Sequence, residues 1–291
     1  MSDPDFLDCI AEQATGLKKS PDGVWVSATR SEVSYPDDGS DHCFEVEDSS
    51  FWFAHRNRII RNAVAQFPPA GPVFDIGGGN GIVTREIMEA GFPGVLVEPS
   101  PAAIRNARKR GINGCVCSTL RDAEFAEGSI PAIGMFDVLE HIENDVEFAA
   151  QTNHVLIPGG RLYLTVPAFN CLWSEDDRTA GHFRRYRRRE IQTCLERAGF
   201  RVLYCTYFFA PLFLPIMVRR SFMSWIGVRK RKSEIGRSEH VISSAWSRML
   251  FGWFSSWEAR KTASTGHVPF GSSILVVAET SSTTQGFSQS E

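Results

Sequence analysis

An apolar strand that runs into a glycine-rich loop and then a helix is the feature that most constrains this chain. The strand ends at Asp75, and Gly77, Gly79 and Gly81 follow before the helical pattern begins. Glycine lets the main chain turn sharply and approach a ligand closely, and the unpaired N–H groups at a helix N-terminus favour an anionic group on that ligand. The pattern therefore predicts a ligand-binding corner between a strand and a helix of an α/β fold.

A second apolar strand ends at Glu98. A carboxylate at this place can accept two hydrogen bonds from the diol of a ribose, so the ligand is expected to carry one. A nicotinamide dinucleotide fold is the nearest alternative, but its third glycine would fall on Ile82. That fold also does not usually carry an acid two residues before the first glycine.

The glycine motif and the following Glu98 together resemble the first two motifs of the class I methyltransferases that use S-adenosylmethionine. The resemblance implies a Rossmann-like α/β fold with one seven-stranded sheet, whose last strand is antiparallel. It also implies S-adenosylmethionine as the cofactor and S-adenosylhomocysteine as the product. The resemblance extends from about residue 51 to residue 201 and, more weakly, to the final strand.

Strand and helix patterns alternate along the middle of the chain, which predicts a parallel sheet with helices on both faces. Ligands bind such sheets at the carboxyl ends of the strands, where Gly77, Glu98 and Asp137 all fall. The predicted strands are 73–76, 95–98, 115–117, 132–137, 161–166, 201–207 and 273–278, and the predicted helices are 81–90, 101–110, 144–155 and 189–198.

Changes in composition divide the chain into five predicted parts. They are an N-terminal helical cap (1–68), a cofactor-binding core (69–209), an acceptor lid inserted before the last strand (210–265), the last core strand (266–280) and a disordered tail (281–291). The first 50 residues are polar with turn signals, which predicts a loosely structured start before a helix over 51–67. The segment from 210 to about 261 is rich in aromatic and basic residues, and we expect it to be irregular.

The resemblance also implies which further residues contact the cofactor. An arginine of the N-terminal helix would pair with the methionine carboxylate; Arg56 is expected to do so, with Arg58 as the alternative. Relatives often carry an acid after the third strand for the adenine amino group. The corresponding place here is Thr119, before Leu120, and Asp122 is a neighbour that can serve instead.

The run from Asp137 to His141 resembles the motif that follows the fourth strand in the same superfamily. In its metal-dependent members, two acids and a histidine share the spacing of Asp137, Glu140 and His141, and hard oxygen ligands suit magnesium or calcium. Most relatives with this sequence are not known to need a metal, so we predict no metal site. Asp137 and His141 are then expected to line the cofactor pocket, and Glu140 to cap or bridge.

The segment after the fifth strand carries the main catalytic candidates, with His141 as a further one. Its order of tryptophan, acid, Gly-His and Arg-Arg-Tyr resembles a bacterial subgroup of small-molecule methyltransferases. His182 and Tyr186 are four residues apart and would both face the acceptor if the turn is helical. Histidine is suited to act as a base for a protic acceptor near neutral pH. The alternative is that His182 only holds the loop and Tyr186 only packs.

Composition narrows the expected partners and location. The 291-residue chain has a formal net charge of -3 and an isoelectric point of about 6.2, so nucleic acid is not an expected partner. Seven cysteines without regular spacing favour a reducing cytoplasm over a disulfide framework. The acidic first residues do not resemble a secretory signal. We therefore expect a cytoplasmic monomer or homodimer.

The predicted function is methyl transfer from S-adenosylmethionine to a small-molecule acceptor. The 21 phenylalanines and seven tryptophans favour an apolar or aromatic acceptor. One alternative is a membrane-associated lipid or isoprenoid acceptor, because the stretch 212–226 is amphipathic with basic flanks, although peripheral membrane contact is not favoured. Another is a protein that binds the cofactor for a different class of reaction.

Overall fold

The computed structural model describes residues 3–29, 44, 47–48, 50–210 and 245–281. Its helices are α1 (Asp3–Ala11), α2 (Phe51–Gln66), α3 (Ile82–Glu89), α4 (Pro101–Lys109), α5 (Leu120–Ala123), α6 (Asp145–Val155), α7 (Glu175–Thr179), α8 (Arg188–Arg197) and α9 (Ala245–Ala263). Its strands are β1 (Leu17–Lys19), β2 (Trp25–Ser27), β3 (Val73–Ile76), β4 (Gly94–Val97), β5 (Cys115–Cys117), β6 (Ile130–Phe136), β7 (Leu156–Pro167), β8 (Phe200–Phe208) and β9 (Ser273–Thr280). Two 3₁₀ turns lie at Leu139–His141 and Asn170–Leu172.

The strands of the described part form one sheet in the order β1-β2-β5-β4-β3-β6-β7-β9-β8. The pairs that join β5, β4, β3, β6 and β7 are parallel, and β9 is antiparallel to both β7 and β8. Strands β3 to β9 confirm the expected Rossmann-like seven-stranded sheet with an antiparallel last strand. Strands β1 and β2 extend this sheet beyond the predicted number.

The central strands are buried because helices cover both faces of the sheet. Every residue of β3, β4 and β6 is buried. Successive side chains point to opposite faces, and Val73 and Phe74 accordingly belong to two different apolar clusters. The largest difference from the predicted strands is in β7, which begins at Leu156. The Pro-Gly-Gly sequence that follows resembles a turn, but it forms an irregularity within β7, where Gly159 has a left-handed φ of 74° and the register with β6 shifts.

The N-terminal residues fold against one edge of the sheet, so the prediction of a loosely structured start is wrong for residues 3–29. β1 and β2 form an antiparallel hairpin, and β2 pairs in parallel with β5. Leu7 and Ile10 of α1 are buried, and the Asp8 carboxylate accepts a hydrogen bond from the Trp25 indole at 2.9 Å. Strands of three residues are too short to give a periodic signal in the sequence.

The end of the predicted lid is a regular helix, α9, so the expectation of an irregular segment is wrong there. Glu258 of α9 is fully buried and lies 2.8 Å from His55 Nε2 of α2. Its carboxylate also accepts hydrogen bonds from the N–H groups of Phe209 and Ala210, at 3.0 and 2.6 Å. These contacts join α9 to α2 and to the end of β8. Long-range contacts of this kind leave no local pattern in the sequence.

Some residues of the five predicted parts lie outside those that the structure describes. Residues 211–244 of the predicted lid and 282–291 of the predicted tail lie outside the described residues. The boundaries of the five parts stay predictions. None of the helices that the structure describes is long and apolar enough to span a bilayer.

Candidate active site

The glycine loop between β3 and α3 turns through left-handed backbone conformations. Gly77, Gly79 and Gly81 have φ angles of 67°, 55° and 75°, which residues with a side chain rarely adopt. Apart from its two neighbours in the chain, none of the described residues has an atom within 4 Å of the position that a Cβ would take at Gly79. The main chain at Gly79 is therefore open to the close approach of a ligand.

Two glycines of this loop are required by packing. A Cβ on Gly81 would overlap the side chain of Ile112, and a Cβ on Gly78 would lie 2.5 Å from Asp75 Oδ2. Sequence reasoning missed Gly78, because the motif singles out alternate positions. The run of three consecutive glycines is the signal that could have identified it.

Asp75 lies beneath the loop. Its side chain is buried, and Oδ2 accepts a hydrogen bond from Thr84 Oγ1 of α3 at 2.7 Å. Burial raises the pKa of Asp75 to about 7. Within the described part of the chain, Oδ1 has no hydrogen-bond partner. Asp75 thus supports the loop by joining β3 to α3, and Thr84 is a supporting residue that sequence reasoning missed.

Glu98 lies beside the loop, as its place at the end of a neighbouring parallel strand predicts. Oε2 accepts a hydrogen bond from the Gly79 N–H at 3.0 Å, and Oε1 accepts one from the Ser100 N–H at 2.8 Å. Burial raises the pKa of Glu98 above its ordinary value. Each oxygen has capacity for a further bond, so this carboxylate can accept from both hydroxyls of a diol.

The residues after β5 begin the short helix α5. Thr119 is its N-cap, and Thr119 Oγ1 accepts a hydrogen bond from the Asp122 N–H at 3.0 Å. Leu120 and Asp122 are buried. The Thr119 hydroxyl is therefore engaged in holding the helix, and an adenine contact at Thr119 and Leu120 stays a prediction.

Arg56 of α2 forms an ion pair with Asp137, which follows β6. The distance between Arg56 Nη1 and Asp137 Oδ2 is 2.6 Å, and Thr165 Oγ1 donates to Asp137 Oδ1 at 3.1 Å. Asp137 has a left-handed φ of 60°, a conformation that costs free energy for a residue with a side chain. Arg58, the alternative candidate, is exposed. The structure thus brings Arg56 to Asp137 at the carboxyl edge of the sheet.

Aromatic side chains surround Arg56. Its guanidinium lies 4.9 Å from the ring centre of Trp52 and 5.2 Å from that of Phe53. Trp52 stacks on Phe209, with ring centres 5.4 Å apart. The half-buried rings of Trp52 and Phe53 therefore form an aromatic surface beside the ion pair, and the buried Phe209 supports it.

His141 and His182 meet from two different loops. Their ring centres are 4.6 Å apart and the ring planes are perpendicular. His182 Nδ1 lies 2.9 Å from an oxygen of the buried Asp177, which also pairs with Arg185. Burial raises the pKa of Asp177, but the hydrogen bond from His182 and the charge of Arg185 hold it well below its ordinary value. Burial, with the neighbouring His182, lowers the pKa of His141 to about 4, so His141 is neutral at neutral pH.

Tyr186 does not share a helical face with His182, because the turn between them is not helical, so the condition for both to face the acceptor is not met. Residues 182–185 have no regular structure, and Tyr186 forms an isolated parallel bridge with Ala168. Its ring is buried, and its hydroxyl donates to Asp145 at 2.9 Å. Burial, with the charge of Asp145, raises the pKa of Tyr186. These contacts give Tyr186 a packing role, which was the alternative interpretation.

A family model described as a methyltransferase domain matches residues 52–204, which is more than half of the chain. The chain belongs to this methyltransferase family. It is a class I methyltransferase, and its methyl donor is S-adenosylmethionine. A search of curated proteins finds no match.

Solved structures share the fold of this methyltransferase. A chain of the complex between the Haloferax volcanii Trm112 methyltransferase activator and the putative methyltransferase has a TM-score of 0.55 and 14% identity; the match covers 84% of this chain and 95% of that one. Haemonchus contortus phosphoethanolamine N-methyltransferase 2, solved with S-adenosyl-L-methionine, has a TM-score of 0.51 and 18% identity; the match covers 97% of this chain and 60% of that one. At these identities the likeness shows the fold.

Proposed function

We propose that this methyltransferase acts on a small-molecule acceptor with an apolar or aromatic body and a protic group. We also propose that it belongs to the bacterial small-molecule subgroup that its sequence resembles, as a monomer or homodimer. The observation that carries the proposal is the His141–His182 pair. It lies at the same edge of the sheet as the cofactor residues, since His141 belongs to the 3₁₀ turn that follows β6 and Asp137.

The proposed cofactor site uses main-chain groups and three charged side chains. When bound, S-adenosylmethionine supplies a methyl group that its sulfonium charge makes electrophilic. The open main chain at Gly79 approaches the ligand, Gly77 supplies the left-handed turn before it, and Glu98 accepts from the ribose hydroxyls. Arg56 and Asp137 carry opposite charges 2.6 Å apart, which match the carboxylate and ammonium groups of the methionine end.

The proposed acceptor side combines the aromatic surface with His182. Trp52 and Phe53, which are half-buried, provide flat apolar contacts for the body of the acceptor, and the buried Phe209 supports Trp52 by stacking on it. Asp177 lies 2.9 Å from His182 Nδ1 and orients the ring, so the other ring nitrogen of His182 is suited to take the proton of the acceptor. His141 is neutral and lies against the His182 ring.

A second candidate acceptor is a membrane-associated lipid or isoprenoid. Trp253 and Phe254 of α9 expose 62% and 38% of their surface, and Lys261 lies further along the same helix. Exposed aromatic residues near basic ones are typical of surfaces that contact lipid headgroups and acyl chains.

The test is methyl transfer from radiolabelled S-adenosylmethionine to separate acceptor pools. One pool holds phenols, amines and carboxylic acids in solution, and the other holds isoprenoid lipids in vesicles. We expect label in a product of the soluble pool, identified by mass spectrometry. Glu98→Ala is the inactive control, because it removes the two acceptor oxygens for the ribose.

The outcomes separate the candidate functions. Label only in the vesicle pool would support the lipid acceptor and contradict the first proposal. Binding of S-adenosylhomocysteine by calorimetry, without a labelled product in either pool, would indicate a cofactor-binding protein of another reaction class.

A further inference from the structure

Three side chains from two loops converge near the candidate active site. Glu140 and His141 belong to the 3₁₀ turn after β6, and His182 belongs to the β7–α8 segment (residues 168–187). Each offers one potential ligand atom, and these atoms lie within 4.8 Å of one another. Sequence spacing would instead group Glu140 and His141 with Asp137, but the Asp137 carboxylate pairs with Arg56.

Glu140 is a buried carboxyl group with an unsatisfied oxygen. Its residue is 1% exposed, and Oε2 has no hydrogen-bond partner among the residues that the structure describes. The Glu140 carbonyl accepts a hydrogen bond from the Phe183 N–H at 2.8 Å, which ties the turn to the residue after His182. Burial of a carboxyl oxygen without a partner costs free energy, and a bound cation would remove that cost.

His182 is held in the way that metal-binding histidines commonly are. His182 Nδ1 lies 2.9 Å from a carboxylate oxygen of Asp177. Arg185 and the Ser174 N–H, the latter at 2.7 Å, donate hydrogen bonds to the same carboxylate and fix its position. A carboxylate that accepts the proton of one ring nitrogen leaves the lone pair on the other nitrogen, Nε2. The ring is therefore oriented and has its lone pair available.

His141 supplies a second imidazole. Its ring is perpendicular to that of His182 at 4.6 Å, and its Nδ1 is buried without a hydrogen-bond partner in the described ranges. A neutral imidazole has one lone pair to offer a cation.

The combination of ligands selects a class of cation. Two imidazole nitrogens and one carboxylate oxygen suit zinc and its transition-metal neighbours, whereas magnesium and calcium prefer oxygen ligands alone. Ligand atoms around tetrahedral zinc are about 3.3 Å apart, so these side chains would have to draw together by about 1.5 Å at most. Three protein ligands leave a coordination position open, as in catalytic rather than structural zinc sites.

We propose that Glu140, His141 and His182 bind one divalent transition-metal cation, and that Asp177 is a positioning residue for His182. This replaces the expectation that the chain has no metal site. The open position then takes water or an oxygen of the acceptor, and with the cation present His182 is a ligand rather than a free base. The role toward the acceptor rests on the proposed function, whereas binding of the cation does not.

The test is calorimetric titration of the full chain with Zn²⁺, after removal of metals with EDTA. We expect one zinc per chain. Glu140→Gln and His182→Ala should each lower the affinity at least about tenfold, and Asp177→Asn about tenfold. His154→Ala is the matched control: His154 lies 3.7 Å from Glu127, but both side chains are exposed, and zinc binding should not change.

A second measurement does not depend on the stability of the variants. The wild-type chain loaded with Co²⁺ should show the visible absorption of a four- or five-coordinate ion. Binding of S-adenosylhomocysteine is measured for every variant, which shows that it is folded and keeps this test separate from that of the proposed function. Equal zinc affinity in wild type, Glu140→Gln and His182→Ala would overturn the proposal, as would displacement of zinc by an equal concentration of Mg²⁺.

Discussion

The cofactor side and the acceptor side of the site are built in different ways. On the cofactor side, the glycine loop and Glu98 lie within residues 75–100, and main-chain conformation and N–H groups shape the site. On the acceptor side, Trp52, His141 and His182 come from three separate elements, and contacts with side chains of other elements hold them. One side depends on local backbone geometry and the other on long-range contacts between side chains.

This difference predicts opposite sensitivities to substitution. The cofactor side should tolerate added atoms poorly, because its glycines have left-handed conformations and a Cβ at Gly78 or Gly81 would overlap neighbouring side chains. The acceptor side should be sensitive to the loss of particular groups, because its geometry depends on individual ion pairs and hydrogen bonds.

The largest effect is expected from a side chain added to the loop. Gly79→Val should lower the affinity for S-adenosylhomocysteine about 1,000-fold, because a β-branched residue disfavours a φ of 55° and occupies the open face. Gly91→Val is the control, since Gly91 also has a positive φ, 89°, with no described atom within 4 Å of a Cβ. Calorimetry should show normal binding for Gly91→Val. Equal losses in the two variants would mean that backbone strain alone explains the effect.

Removal of a group from the acceptor side should affect turnover and spare cofactor binding. His182→Ala should lower kcat about 100-fold, whether the imidazole acts as a base or as a ligand, with S-adenosylhomocysteine affinity unchanged. Tyr186→Phe should keep kcat within about twofold and lower stability by about 1 kcal/mol, because it removes only the bond to Asp145. A large loss of kcat in Tyr186→Phe would restore its predicted catalytic role.

The contribution of Asp75, beneath the glycine loop, to the free energy of unfolding should depend on pH. The pKa of Asp75 in the folded chain is about 7, above its ordinary value of 3.8, so the folded chain binds this proton more tightly than the unfolded chain. The stabilisation is complete below pH 3.8 and is lost as the pH rises through about 7. Between about pH 5 and about pH 8, wild type should lose on the order of 2 kcal/mol more stability than Asp75→Asn. Urea unfolding measures this, and parallel pH profiles would contradict it.

The smallest effect on binding is expected for Arg56, which lies between the cofactor side and the acceptor side. Arg56→Ala should weaken S-adenosylhomocysteine binding about tenfold, because it removes a charged donor for the methionine carboxylate. Arg58→Ala, two residues away on the exposed face of α2, should bind normally. Equal affinities in the two variants would show that Arg56 only holds Asp137.

The same comparison explains how far the sequence predicts the structure. Most central strands and the glycine loop were predictable, because continuous apolar runs and a local motif specify them. Glu98 was predictable beside the loop because parallel neighbouring strands end at the same edge. The hairpin of β1 and β2 was not, since three-residue strands give too short a pattern.

The acceptor side was only partly predictable. His141 and His182 were identified as candidates, but their contact depends on the path of the β7–α8 segment, which no local pattern gives. Asp177 was not among the candidates, although its place five residues before His182 allows the bond between them. The helical spacing of Tyr186 was misleading because residues 182–185 have no regular structure.

The buried Glu258 has a consequence for how such enzymes diversify. This carboxylate fastens α9 to the end of β8 through the main-chain amides of Phe209 and Ala210, and to α2 through His55. Every residue except proline supplies a main-chain N–H, so these bonds do not require particular side chains at positions 209 and 210. We therefore expect chimeric enzymes that keep Glu258 and His55 to accept foreign sequences between Ala210 and α9.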